Sequence, residues 1–267
     1  MEQTEDLIKL SDPGERGREQ HNRGDRFSVQ VANIAAWTFP ILMIAIVAQV
    51  ILRASGYNQA WLDDLQWWLY GGSALVAIAY AVTTDSHVRV DIFHENFADK
   101  KRVRIEIFAL AWLFLPFVIL AWDITIPYAL QAFQIDEGSS SPNGLHNLWI
   151  LKIFMNVAFI LVAIATWAAY VRQVARVARP TLWRQLLWAL PSTIYLINLV
   201  VYYTIWWILR LTTPAEIDDR ELGRHAIFGE FEIGAEEIKY TILITVVVTI
   251  IVLAVARAID RGDDAEA

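Results

Sequence analysis

The sequence predicts an all-α polytopic membrane protein of about six transmembrane helices, with a short interfacial segment between the second and third. Three observations predict it. The 267 residues are 56% hydrophobic at a mean hydropathy of +0.39, above what a soluble chain with a polar shell shows. The apolar residues are grouped into nearly charge-free runs of roughly 20 residues, the length that crosses about 30 Å of hydrocarbon. Basic and acidic connections alternate from one run to the next, as the positive-inside rule requires. No run alternates like a barrel strand, and a backbone in lipid must satisfy its own hydrogen bonds, so the spans are helices.

The elements follow in order. Ser28–Leu52 comes after a polar tail carrying Lys9, Arg16, Arg18, Arg23 and Arg26. No small-residue cleavage pattern follows it, so it reads as a retained anchor rather than a cleaved signal. The loop to Leu65–Thr84 sets Arg53 against Asp63 and Asp64. Both carboxylates are placed to cap the second helix, whose N-terminal dipole favours negative charge. Before the third span, Ile107–Tyr128, come Arg89, Lys100, Lys101, Arg102 and Arg104. Val88, Val90, Ile92, Phe93 and Phe97 in that stretch are too few to span. They predict a segment lying in the inner interface, then a helix capped by Asp99. An irregular loop obeying the positive-inside rule is the other reading, and both stay open.

The fourth span, Leu148–Val171, follows a loop with Asp136 and Glu137 and no base before Lys152. Arg172, Arg176, Arg179 and Arg184 lead to the fifth, Leu186–Leu209. The loop to the sixth, Tyr240–Ile259, is dominated by Glu216, Asp218, Asp219, Glu221, Glu230, Glu232, Glu236 and Glu237. Arg257 and Arg261 close the pattern, which puts both termini in the cytoplasm. Trp37, Trp61, Trp67, Trp68, Trp149, Trp206 and Trp207 fall near span ends, where amphipathic rings settle at headgroup level.

A search for chemistry excludes more than it finds. There is no cysteine, so disulfides, thiolate chemistry and cysteine-held metals are out. His21, His87, His94, His146 and His225 lie in tails, loops or span ends, which argues against a bis-histidine haem and an intramembrane zinc site. Ser73, Thr83 and Ser192 have no recognisable base, and no Gly-rich phosphate loop is present. No catalytic residue, metal, cofactor or nucleic-acid partner is expected; the bilayer is the first partner. Asp123 and Lys152 lie at similar depth on adjacent antiparallel spans, so an intramembrane pair between them is geometrically reasonable. It reads as a coupling site or as a structural salt bridge with a snorkelling lysine, and the second is favoured because an ion pathway needs more than one such group. Gln49, Asn156 and Asn198 are expected to form interhelical hydrogen bonds.

Several motifs, in order, carry a resemblance. Asn58 to about Arg176 contains A-W-L-D-D-L-Q-W-W-L-Y-G, with Trp61, Asp63 or Asp64, and Gln66; then H-V-R-V-D, His87 to Asp91, directly after the second span; then D-E-G-S-S-S-P-N-G-L-H-N-L-W-I-L-K, with Glu137, Ser139, Ser140, Gly144, Trp149 and Lys152. This stretch resembles the small membrane (Q-type) subunit of tripartite ATP-independent periplasmic (TRAP) transporters. The resemblance implies a bacterial inner-membrane scaffold with no catalysis. Its partners would be a large membrane subunit that moves the solute and a periplasmic binding protein that captures an organic acid. It also implies interface or structural roles for Trp61, Asp63, Asp64, Gln66, His87, Arg89, Asp91, Glu137 and Ser140.

On this reading residues 1–27 are a cytoplasmic tail and 28–176 the four-span domain. Residues 177–260 are an additional two-span hairpin with an acidic periplasmic loop, and 261–267 a second tail. The extra spans depart from the usual four-span subunit and are expected to widen the contact with the large subunit or to be a lipid-facing elaboration. Two other classes compete. A membrane anchor of a redox complex would need haem or quinone ligands, and a stand-alone carrier would transport by itself.

Overall fold

The computed structural model describes residues 18–86, 97–214, 219–233 and 236–266. Among them are six helices long and apolar enough to cross a membrane, and the chain is a multi-pass, all-α membrane protein. No span has more than a third of its apolar window buried within the chain, as expected where lipid is the solvent and apolar side chains need no protein cover. The chain divides into two compact units, residues 1–177 and 178–267. The stretch expected to form the interfacial segment, with His87, Arg89 and Asp91, lies outside the described residues.

In the first unit the helices run α1 Arg23–Ala36, α2 Thr38–Ala54, α3 Ala60–Thr84, α4 Asp99–Phe108, α5 Leu115–Gln134 and α6 Trp149–Ala175. A π-turn over Ala109–Phe114 joins α4 to α5. α6 is the hub, packing on α1, α3, α4 and α5. Its small residues allow that: Ala158, Ala165, Ala168 and Ala169 are buried, and small side chains let helix backbones approach closely. Val76, Ala79, Val118, Leu161, Val162 and Ala165 form the core around them.

The helices are longer than the apolar runs predict, because polar turns extend them. The first continues back to Arg23 and the third back to Asp99. Asp99 is not the cap: the N-cap is Ala98, with no side-chain bond, and Asp99 instead faces Arg102 at 3.8 Å. Both long helices are interrupted where a proline removes a backbone donor. Pro40 sits just beyond the break at Trp37, whose N–H turns to Ile34 O at 3.2 Å. Trp37, grouped by sequence with the span-end tryptophans, is thus at a break inside a long helical segment, 74% exposed. Pro116 follows the π-turn, which closes with Leu115 N–H on Leu110 O.

The second unit contains α7 Leu182–Trp188, α8 Leu190–Thr212, the single-turn α9 Asp219–Leu222, and α10 Tyr240–Glu266. α8 and α10 pack together, with α7 against both. Thr245 donates to Asn198 Oδ1 at 3.2 Å across that contact. The acidic connection, read from the sequence simply as a loop, has structure of its own. It carries a 3-10 turn, Ala226–Phe228, and a two-stranded antiparallel hairpin, β1 Glu230–Ile233 with β2 Glu236–Lys239, in register Phe231 to Ile238. Aromatic contacts anchor it: Tyr202 of α8 meets Phe228, and Phe231 stacks on Tyr240, each with centroids 5.0 Å apart.

Candidate functional site

Four of the residues the sequence singled out, Asp64, Glu137, Trp149 and Lys152, converge on the connection between α5 and α6. α5 ends in a Schellman motif: Asp136 is left-handed at φ 49°, Asp136 N–H donates to Phe133 O and Glu137 N–H to Ala132 O. Asp tolerates that conformation better than most residues. A turn follows in which Gly144 N–H donates to Ser141 O at 2.9 Å. Pro142 and Asn143 are its central residues, with Asn143 at φ 59°, the residue pattern of a type II turn. Ser139 N–H to Leu145 O at 2.9 Å and Leu148 N–H to Glu137 O at 2.7 Å close the loop on itself.

Three side-chain contacts then fix it to the helices. Asp64, in the second turn of α3, accepts Leu145 N–H at 2.8 Å across 81 residues of sequence. Glu137 pairs with Lys152, whose ammonium also lies 3.8 Å above the Tyr128 ring. Lys152 is 12% and Glu137 29% exposed, so this is a partly desolvated pair. Asp136 accepts the Trp149 indole N–H at 3.1 Å, while Trp149 meets Phe133 edge to face. One turn further along α6, Asn156 donates to Thr125 O at 3.3 Å and accepts Thr125 Oγ1 at 3.1 Å.

Asp63 faces the other neighbour. It accepts Gln49 Nε2 at 2.8 Å and lies 3.4 Å from Arg53, both on α2. Neither aspartate makes a cap hydrogen bond, because α3 begins at Ala60 with Gln59 as N-cap, though Asp63 stands in its first turn, where the helix dipole favours a carboxylate. Both are already inside it, and successive positions aim at different partners. The remaining expected residues are spread more widely. Trp61 is exposed and donates to Gln59 Oε1 at 3.0 Å, and Gln66 Nε2 is buried with no hydrogen-bond partner. Ser140 is exposed at the loop tip, and Asp123 is half-buried on α5. The carboxylate paired with Lys152 is Glu137. Gln49, Asn156 and Asn198 all bond across helices, as expected.

A second polar cluster sits at the other end of α6, and sequence reasoning missed it. Asn22 caps α1 through its side chain, and Asp25 returns the bond to Asn22 N–H at 3.1 Å. Asp25 is fully buried and lies 2.6 Å from Arg172. Arg172, read from sequence as a positive-inside charge, also donates to Thr83 O at 2.9 Å in the last turn of α3. That carbonyl has no helical donor, and a cation there complements the helix dipole. Asn22 Nδ2 adds a bond to Ala168 O at 2.8 Å. Asn-x-x-Asp is a visible capping signal; the pairing across 147 residues has no local signature.

Chemically, these clusters hold segments of one unit together. Among the described residues no group of three or more His, Asp or Glu could hold a metal. Two clefts of about 250 Å³ lie between α1, α2 and α3, one of them reaching α6 through Ile150, Leu151 and Phe154. Ala35, Ser73 and Val76 line both, and no charged residue lines either.

A family model described as tripartite ATP-independent periplasmic transporters, DctQ component, matches residues 42–176. No curated protein and no solved structure matches the chain.

Proposed function

The chain belongs to the DctQ component family of tripartite ATP-independent periplasmic transporters, and from that premise we propose that it is the non-catalytic small permease subunit of a secondary-active importer. In this reading it is a scaffold in the bacterial inner membrane with both termini in the cytoplasm. It stands beside a large membrane subunit that carries an organic acid or related solute, delivered by a periplasmic binding protein. The observation that supports the scaffold role is the use of charge in the first unit. Asp25, Asp63, Asp64, Glu137, Lys152 and Arg172 each bond another segment of the same unit. The two clefts described above, by contrast, are lined by no charged residue, and an organic anion in transit needs cations or oriented backbone donors.

His87, Arg89 and Asp91 are proposed to hold the large subunit through charge-assisted hydrogen bonds, and Arg89→Glu is expected to impair assembly. The second unit is proposed to widen that contact. The reading is tested by purifying the tagged chain from native membranes in mild detergent and reconstituting uptake. Stoichiometric recovery of a much larger polytopic protein, with uptake that requires it and a binding protein, is the expected result. Uptake by this chain alone would make it a carrier. Recovery with redox subunits and a Soret band would make it a redox anchor.

A further inference from the structure

In the second unit, guanidinium groups gather around a tryptophan. Arg184 lies 5.6 Å from the Trp183 ring and 5.9 Å from the Trp188 ring. Arg257, on α10, lies 5.6 Å from the same Trp183 ring. Arg184 also donates to Arg179 O at 2.7 Å, and Arg261 follows Arg257 by one helical turn. The carboxylate at this corner is already occupied: Asp260 accepts Trp183 N–H at 2.9 Å and Leu182 N–H at 3.3 Å, capping α7 from a different helix. Among the described residues no carboxylate forms an ion pair with Arg184 or Arg257; the pairs formed lie elsewhere.

We propose that this corner binds the headgroup of an anionic phospholipid, with Arg184 and Arg257 holding the phosphate. Two guanidiniums at one ring gather positive charge that the single Asp260 carboxylate does not balance. Arg184 spends one N–H on Arg179 O, and the N–H groups that remain on the two planar guanidiniums match phosphate oxygens two at a time. The surroundings are suited to a lipid rather than to a free ion. Tryptophan settles at headgroup level, and Leu182 and Leu187, flanking the cluster on α7, are exposed apolar side chains that an acyl chain would cover.

The test is lipid retention by the intact purified chain, measured by native mass spectrometry in mixed micelles of phosphatidylglycerol and phosphatidylcholine. The expected result is several-fold preferential retention of phosphatidylglycerol. The preference should fall towards one in R184Q/R257Q and be reduced but not abolished in R184K/R257K, which keeps both charges and loses the planar edge. Unchanged preference in R184Q/R257Q would overturn the assignment. So would loss of the bound lipid to millimolar inorganic phosphate, which would identify a free-anion site. Exclusion of lipid from this corner by a co-purified subunit would identify an acidic protein partner instead and overturn it equally.

Discussion

Gly144→Ala offers the sharpest test of how the α5–α6 loop is held. A Cβ built on Gly144 would meet Ser139 Oγ, and it would lie 2.5 Å from Ser139 Cβ and 2.6 Å from Asp64 Oδ2. Real Cβ atoms do not approach so closely, and Ser139 Cβ is too near its own backbone to swing aside. The loop has to move, and its nearest anchor is the Asp64 bond to Leu145 N–H. Overpacking of this kind costs about 1–3 kcal/mol, and losing a hydrogen bond to a charged group about 1.5–3 kcal/mol. Asp64 is half-buried and regains water when released, so the expected total is about 2–4 kcal/mol. For a unit of this size that is a drop of roughly 5–10 °C in melting temperature, readable by intrinsic fluorescence in detergent. The double-mutant cycle makes the argument refutable. In an Asp64→Ala background both the Oδ2 clash and the anchoring bond are already gone, so Gly144→Ala should cost about 1–2 kcal/mol less than it does alone. Strict additivity, or an unaltered melting temperature in the single variant, would show that the loop is not held by Asp64.

Two further expectations concern other contacts in the first unit. Asp25→Asn keeps the capping acceptor but removes the charge facing Arg172, which is 14% exposed. It should cost about 2–4 kcal/mol, and Arg172→Met in the same background should restore only part of it, because the bond to Thr83 O is lost as well; equal stability of Asp25→Asn and the parent in a melting experiment would refute the pair's role. Asn156→Leu removes both bonds to Thr125 and should cost about 1 kcal/mol. Adding Thr125→Val should then cost almost nothing more, and two equal, additive losses in thermal denaturation would show that the residues act separately.

The spans were legible because a long apolar run has few alternatives, and hydropathy and loop charge speak to every one of them. Their ends were not, because Arg23–Phe27, Asp99–Glu106 and Gln131–Gln134 are helical without being apolar. The breaks had a visible signal in Pro40 and Pro116, but a proline alone does not say whether the helix stops, bends or widens into a π-turn. Asp64, Glu137, Trp149 and Lys152 of the motifs bond in or around the α5–α6 connection, while the partners of Asp63 and Asp64 were not foreseen. Moving the start of α3 back to Ala60 turns both from caps into tertiary acceptors. Asp25 lies before the matched region of the family and pairs with a residue far along the chain, so neither motif nor spacing exposes it. The hairpin in the acidic connection had a modest signal in Gly234-Ala235 between two short alternating runs, which a count of charges overlooks.

The two ionic clusters are placed on shared helices, and that placement sets a length. Lys152 and Arg172 are 20 residues apart on α6, and Asp64 and Thr83 are 19 apart on α3. At 1.5 Å per residue both separations come to about 30 Å, the thickness of a typical hydrocarbon core. The first unit therefore carries a built-in ruler with a polar knot at each end. A thicker bilayer would draw one knot into hydrocarbon, and a thinner one would expose apolar surface between them. Either mismatch is met by tilting the helices or deforming the lipid at a cost of fractions of a kcal/mol per ångström. Membrane thickness thus becomes a variable to which this first unit, braced at both ends, responds.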